Sequence, residues 1–229
     1  MMREEDIFKW LEALKGRRPR DSSFFRKTAW PVWLAIILFA AALTGCGAAR
    51  PSKYYQLTVP GKEGVAQEAD PVPATLLLGP LLASHLYRED RIVYSGSGEQ
   101  MGTYEYQRWA EPPTEMIQEV LLRELRASGR YKAVYAGRSN ATGDFMIRGR
   151  LYDFKEVSAS TMIAKVTFEL EMRDLKSGST VWNHYYSHDE PVTGKDVPAV
   201  VAALDRNVQM ALKEVLASLD RHFAEHPFK

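Results

Sequence analysis

The sequence predicts an α+β fold: an antiparallel β-sheet with two main α-helices packed on one face, preceded by a lipoprotein signal peptide. Residues 145–151 and 162–173 alternate apolar with polar side chains, as strands with one buried face do. Two other stretches, one opened near Pro112 and one opened by Asp196, repeat apolar residues every three or four positions, the spacing of amphipathic helices. Helices set apart from a run of strands are typical of the α+β class.

The first 45 residues predict a signal peptide. Residues 29–43 form an apolar run that suits a signal h-region and is shorter than the roughly 20 residues of a membrane-spanning helix. The run ends in Leu43-Thr44-Gly45-Cys46. An aliphatic residue therefore lies three positions before the cysteine, and two small residues lie between them. This looks like the lipobox that lipoprotein signal peptidase cleaves in bacteria. The Cys46 thiol would take a diacylglyceryl group, and cleavage would fall between Gly45 and Cys46.

Residues 1–25 are long and highly charged for the n-region of a signal peptide. Two further accounts are therefore open, a start codon assigned too far upstream and an uncleaved inner-membrane anchor with a cytoplasmic tail. A buried apolar helix with an incidental cysteine is a third alternative. Cleavage predicts three parts, a signal peptide over 1–45, a lipidated tether over 46–53 and a domain over 54–226.

Composition indicates one ordinary globular domain after the signal peptide. The 184 residues that follow Gly45 are enough for a domain with its own hydrophobic core. They carry 22 basic and 24 acidic residues, and this balance argues against nucleic acid as a partner, because nucleic acid requires a basic surface. Cys46 is the only cysteine, so an internal disulfide is excluded.

The first half of the domain predicts four short strands. Each is a run of apolar, aromatic or β-branched residues bounded by Gly, Pro or charged residues. In chain order they lie at 54–59, 75–79, 91–94 and 103–107, with a helical turn at 81–88. Gly79-Pro80 is the expected end of the second strand. The glycine-rich segment 95–102 lacks the G-x-G-x-x-G spacing of a phosphate-binding loop and predicts a hairpin connection.

The second half predicts two helices and four strands. Thr114 is the expected N-cap of the first helix, and Gly129 ends that helix. Strands follow at 131–135, 145–151, 162–173 and 180–186, and the last three form an antiparallel meander. The final helix runs for roughly 25 residues from Val197 and has a wide apolar side. Packing against the sheet would explain that width, and a contact with a partner or a second copy stays open.

No pattern in the chain predicts catalysis, a metal site or a cofactor. Two histidine pairs, His184/His188 and His222/His226, have the H-x-x-x-H spacing of zinc sites on helices. The first pair lies on or after a strand, where residues four apart are separated by about 13 Å. The second pair lies at the end of a helix near the C-terminus. The sequence contains neither G-x-S-x-G nor H-E-x-x-H, so the common hydrolase and metalloprotease motifs are missing.

Four short motifs follow one another in the domain. They are Tyr54-Tyr55-Gln56-Leu57, Gly79-Pro80 followed by Leu86 and Arg91-Ile92-Val93, Arg108-Trp109-Ala110-Glu111-Pro112-Pro113, and Gly178-Ser179-Thr180-Val181-Trp182. In this order and spacing they resemble the ABC-type transport auxiliary lipoproteins, over about residues 46–223. One departure is Ala83-Ser84-His85, where the family usually has a Pro and a Tyr ahead of the Leu.

The resemblance implies an accessory of an Mce-type ABC transporter, similar to the lipoprotein of the paraquat-inducible operon. Such transporters move phospholipids or other hydrophobic molecules between the two membranes of a Gram-negative envelope. The accessory is expected on the periplasmic face of the outer membrane, held by its N-terminal lipid, where it meets the Mce-domain protein that works with an ABC permease and ATPase. Gly47 after Cys46 favours the outer membrane, because Asp there would signal inner-membrane retention in enterobacteria. An uncleaved leader would instead leave the chain in the inner membrane.

Arg108 and Trp109 are the candidate partner contacts, because both residue types are common at binding hot spots. The alternative is that Trp109 packs under the helix and Arg108 pairs with Glu111. A homo-oligomer stays open, and the rival role is an outer-membrane assembly lipoprotein of the lipopolysaccharide-export plug type, which has a similar layout. A lipid-anchored hydrolase is a third hypothesis without a motif to support it.

Overall fold

The computed structural model describes residues 50–58, 71–96 and 99–227, so the predicted signal peptide and Cys46 lie outside the described residues. The described chain has eight strands and two α-helices, which confirms the α+β class. None of its helices combines the length and apolar character needed to cross a membrane. In chain order the elements are β1 (Lys53–Tyr55), β2 (Val72–Ala83), β3 (Arg91–Ser95), β4 (Met101–Trp109), α1 (Pro113–Ala127), β5 (Tyr131–Ala136), β6 (Phe145–Ser158), β7 (Met162–Asp174), β8 (Thr180–Pro191) and α2 (Val197–Glu225).

The sheet is organised around β6. β7 runs antiparallel along one edge of β6 over its whole length. The other edge of β6 is shared, because β2 runs parallel to its first half and β3 runs parallel to its second half. β5 extends the sheet beyond β2, β4 and then β1 extend it beyond β3, and β8 lies beyond β7. Two half-sheets therefore meet on one strand.

The sheet is mixed rather than wholly antiparallel. The pairs β1–β4, β2–β5, β2–β6 and β3–β6 are all parallel. Short turns can join antiparallel neighbours, whereas parallel neighbours require long connections. The meander of β6, β7 and β8 has short turns and agrees with the prediction. β2 and β3 reach β6 only after long intervening segments, and alternation within a strand does not say which distant strand it will join.

β2 continues through Gly79-Pro80 instead of ending there. Leu78 pairs with Ile147 and Leu81 pairs with Gly149, so β2 carries one more residue than β6 at this point and forms a β-bulge. Proline is tolerated at a bulge because the hydrogen-bond ladder is already interrupted. The helical turn predicted at 81–88 is accordingly reduced to a short 3-10 helix after the end of β2.

Two strands of the meander are longer than predicted. β6 extends to Ser158 and β8 extends to Pro191, beyond the predicted ends at 151 and 186. The β6–β7 register shifts between Leu151 and Asp153, so the residues of β6 after this bulge alternate in the opposite phase. A prediction that follows one alternation of apolar and polar residues therefore ends the strand at the bulge, although β6 continues to Ser158. β1, in contrast, is a short strand that ends at Tyr55.

Both helices pack on the same face of the sheet, as predicted. α1 lies over β2 and β5, α2 lies over β7 and β8, and the two helices contact each other. Asp196 caps α2, because its side chain accepts a hydrogen bond from the backbone N–H of Ala199 at 3.0 Å. The layer between helices and sheet holds the hydrophobic core, whose fully buried members include Trp109, Phe154, Phe168, Leu204 and Leu219.

α1 begins two residues earlier than predicted. Pro112 is its N-cap and Pro113 its first residue, so Thr114 is the second residue of the helix and not the N-cap. A proline suits this first position because the missing N–H would have had no partner within the helix. Gly129 follows the helix with a φ of 63°, the left-handed conformation that terminates helices, as predicted.

Candidate functional site

Arg108 and Trp109, the predicted partner contacts, are the last two residues of β4 and point to opposite sides of the sheet. The Arg108 guanidinium donates to the Asp90 carboxylate, with 2.7 Å between Nη1 and Oδ1, rather than to Glu111. The Trp109 indole packs on the Phe154 ring with centroids 5.3 Å apart, and Trp109 is only 1% exposed. Its burial favours the packing alternative for Trp109, whereas a contact by the quarter-exposed Arg108 stays a prediction.

An open groove lies beside the first half of α1, next to the segment 108–113 that carries the family resemblance. Its volume is about 540 Å³. α1 forms one wall from Glu115 to Arg123, and residues 56–57 and 110–111 form the facing wall. These segments are distant in sequence, which is why no local motif predicts the groove.

The groove combines an apolar floor with a charged rim. Leu57, Met116 and Val120 line it and are all buried. Arg123 on the rim donates to Glu119 at 2.6 Å. The rim holds three carboxylates and two guanidinium groups, which leaves a small acidic excess: Glu111, Glu115, Glu119, Arg123 and Arg138. Such a surface suits a protein segment that has apolar side chains flanked by basic ones.

Asn207 places a fully buried amide in the apolar stripe of α2. Its Nδ2 donates to the carbonyl oxygens of Ala164 in β7 and His188 in β8, each at 2.9 Å. Its Oδ1 accepts a hydrogen bond from the Tyr186 hydroxyl at 2.7 Å, and burial raises the pKa of Tyr186 to about 12, so this hydroxyl keeps its proton. One side chain thereby joins α2 to both β7 and β8. The sequence signal that could have identified Asn207 is a polar residue within the apolar stripe of α2.

Glu156 is a second buried polar group, in the part of β6 that lies beyond the predicted strand end at 151. It is 3% exposed, and the hydroxyls of Tyr104 and Ser158 donate to its two carboxylate oxygens, the first at 2.7 Å. Burial, and after it the hydrogen bond to Glu156, raise the pKa of Tyr104, so its hydroxyl remains the donor. None of the three residues lines the groove, and their contacts join β4 to the end of β6.

The two histidine pairs lie at different places in the fold. His184 and His188 are on β8, and His222 and His226 are at the end of α2 and just after it. Burial lowers the pKa of His184, although Glu214 opposes the shift. Burial and then His226 lower the pKa of His222. In the part of the chain that the structure describes, no three or more His, Cys, Asp or Glu side chains are grouped to hold a metal ion.

The described chain is an α+β domain with an open groove and with buried polar groups that hold strands and helix together. A model of the ABC-type transport auxiliary lipoprotein component family matches residues 55–215. The chain belongs to this family, which confirms the resemblance found in its sequence. No curated protein sequence matches the chain significantly.

Solved structures show the same fold. Protein XCC0632 from Xanthomonas campestris, of family DUF330, is 21% identical and superposes with a TM-score of 0.62, covering 72% of this chain and 92% of its own. An uncharacterized protein is 12% identical with a TM-score of 0.59, covering 74% of this chain and 99% of its own. At these identities the likeness extends to the fold alone.

Proposed function

We propose that this protein is the lipid-anchored periplasmic accessory of an Mce-type ABC transport system. It docks the transporter at the outer membrane for traffic of phospholipids or other hydrophobic molecules, with no catalysis of its own. The match of the transport auxiliary lipoprotein family to residues 55–215 carries this proposal. That match begins nine residues after Cys46, so the family domain directly follows the proposed lipid anchor.

The tether between anchor and domain is short. Cys46 lies seven residues before Lys53, the first residue of β1. An extended chain spans at most about 3.6 Å per residue, so the start of β1 stays within about 25 Å of Cys46. A lipidated N-terminal cysteine carries several acyl chains, and more than one chain makes anchoring stable. The domain therefore acts at the membrane surface, where it can receive a partner that reaches across the periplasm.

The groove beside α1 is the proposed surface for the Mce-domain protein. It contains Ala110 and Glu111 of the segment 108–113, and Arg108 lies just before them. Trp109 supports this segment from beneath, since its ring is packed in the core. The apolar floor would supply affinity, and Glu111 and Glu115, the rim carboxylates apart from the Glu119 that pairs with Arg123, would favour a segment with basic flanks.

Mass spectrometry of the membrane-extracted protein, wild type against Cys46→Ala, tests the anchor. The expected result is a triacylated N-terminal Cys46 in the wild type and no acyl mass in the variant. An intact Met1 N-terminus without acyl chains would refute the outer-membrane lipoprotein and leave an inner-membrane anchor.

Site-specific photocrosslinking in cells tests the partner. A photoreactive residue at Glu115, exposed on the groove rim, is expected to capture an Mce-domain protein. The same residue at Lys176, exposed in the β7–β8 turn, is the control and is expected to capture none. Equal capture at both positions would refute the groove as the docking surface. Capture of a β-barrel protein instead would refute the transport role and favour the lipopolysaccharide-export plug.

A further inference from the structure

β8 is a long, open strand at the edge of the sheet. Among the described residues it pairs only with β7, and its 12 residues compare with three in β1 and six in β5, the other edge strands. Natural edge strands avoid unwanted pairing by being short or by carrying Lys or a central Pro. β5 carries Lys132, whereas β8 contains no Lys or Arg and has its proline, Pro191, at the last position. β8 is thus open to strand pairing.

The contacts of Asn207 show which backbone groups of β8 point to the open edge. Its single Nδ2 atom reaches the carbonyls of both Ala164 and His188, so both carbonyls lie in the gap between β7 and β8. In an antiparallel ladder the N–H and C=O of one residue point to the same side, and the next residue points to the other. From Trp182 onward the even-numbered residues of β8 therefore bond to β7, whereas Val181 is the extra residue of a bulge, where the β7–β8 register shifts. Within the described part of the chain, the backbone groups at the open edge belong to Asn183, Tyr185, Ser187 and Asp189.

A row of α2 side chains runs beside β8. Arg206 donates to Glu190 at 2.9 Å, and Glu214 lies close enough to His184 to act on its pKa. Met210, half-buried, lies between them at helical spacing. The opposite side of α2 faces inward, since Val208, about 200° around the helix from Arg206, is fully buried. The row is basic at one end and acidic at the other.

We propose that the open edge of β8 binds β8 of a second copy of this chain, antiparallel about a twofold axis at Tyr185. This register is centred on the strand and gives the longest overlap. Asn183, Tyr185 and Ser187 would then pair with their counterparts in the second copy and form about six backbone hydrogen bonds, two for each of three pairs. Asp189 would face the partner's Val181, so the acidic ends of the two strands stay apart. A parallel arrangement would instead place each Asp189 beside its equivalent.

The helices fit the same arrangement. α2 lies over β7 and β8, so pairing two β8 strands sets the two α2 helices about two strand spacings apart, about 9.6 Å. Packed helices lie about 8–10 Å apart, so the helices would contact each other without clashing. Glu214 of each row lies near the axis, and Arg206 lies at the outer end, where it stays paired with Glu190 of its own chain. The interface is isologous, as a twofold dimer requires.

Tyr185 gives the sharpest test because it would meet the partner's Tyr185 on the axis. It is 63% exposed, so replacing it leaves the monomer core intact. The full chain is purified from membranes in detergent, and its mass is measured by native mass spectrometry over a range of concentrations. Tyr185→Lys and Tyr185→Glu should each raise the dimer dissociation constant by about tenfold or more, because like charges directly opposite repel. Mixing the two variants should restore a heterodimer.

Tyr54→Lys is the matched control, since Tyr54 is 64% exposed on the edge strand β1 and should leave the dimer unchanged. Circular dichroism checks that every variant is folded. A monomeric wild type at all concentrations overturns the proposal, as does a wild-type oligomer that survives both Tyr185 variants. Two monomeric variants that fail to combine overturn the register at Tyr185. The inference uses only the folded domain, so it stands or falls separately from the transport role.

Discussion

Replacing Asn207 with leucine tests whether one buried amide holds α2 on the sheet. Leucine is similar in size, so the variant removes hydrogen bonds without opening a large cavity. The lost bonds are those to the carbonyls of Ala164 and His188 and the one from the Tyr186 hydroxyl. At about 1 kcal/mol net for each bond, the loss is about 3 kcal/mol. The loss falls toward about 2 kcal/mol because the Tyr186 hydroxyl can still donate to the backbone carbonyl of residue 207, which is 3.2 Å away.

Such a loss lowers the ratio of folded to unfolded chains between roughly 30-fold and 150-fold. Urea unfolding followed by tryptophan fluorescence measures it as a change in the free energy of unfolding. Asn140→Leu, an exposed asparagine between β5 and β6, is the control and should shift the free energy by no more than about 0.5 kcal/mol.

A double variant sharpens the test. Tyr186→Phe alone leaves the Asn207 amide without its donor, and Asn207→Leu alone weakens the bonding of the hydroxyl. The variant with both changes should therefore lose less stability than the sum of the two single losses. If Asn207→Leu stays within about 0.5 kcal/mol of the wild type, the amide does not hold the helix and the reasoning fails.

Three further predictions use the same unfolding assay. Gly149→Ala should lower the free energy of unfolding by about 3 kcal/mol, because the new Cβ would lie 2.1 Å from a carbonyl oxygen of β7. Gly96→Ala is the control and should be neutral, because its Cβ would meet nothing within 4 Å. Equal effects of the two changes would contradict the close approach at Gly149. Trp109→Ala should lower the free energy of unfolding by about 3–5 kcal/mol, because Trp109 lies in the core. Arg108→Ala should lower it by at most about 1 kcal/mol, because Arg108 belongs to a partly exposed ion pair. Comparable losses would contradict these placements. Burial lowers the pKa of His184 from 6.5, so the unfolded chain binds a proton at this residue more readily than the folded chain does. The free energy of unfolding should therefore fall as the pH drops below about 6.5. A His184→Gln variant whose free energy of unfolding depends on pH as steeply as that of the wild type would contradict this account.

The helices and the meander were predictable because their patterns are local. The 3.6-residue spacing of α2 and the alternation in β7 each arise from burying one face of an element. The parallel pairs were not predictable, because the partner of β2 lies about 70 residues further along the chain and periodicity carries no such information. The predicted strand end at Gly79-Pro80 was wrong for a related reason. Only the pairing with β6 shows that β2 continues through a bulge there.

The candidate site divides in the same way. The segment 108–113 was recognisable because it is contiguous, and the groove indeed contains two of its residues. The direction of each side chain was not predictable: the bulky Trp109 faces the core, and Arg108 finds Asp90 across the β3–β4 hairpin. The groove itself needs walls from residues 56–57 and 115–123, which meet only through the tertiary fold.

The central place of β6 has a consequence for the order in which the chain is made. β1 to β5 all precede β6, so synthesis delivers two half-sheets before the strand that joins them. The pairs β3–β4 and β2–β5 can form early, yet each keeps an uncovered inner edge until residues 145–158 arrive. Unpaired edges of this kind are where growing chains aggregate. A chain stopped short of β6 has no way to close them.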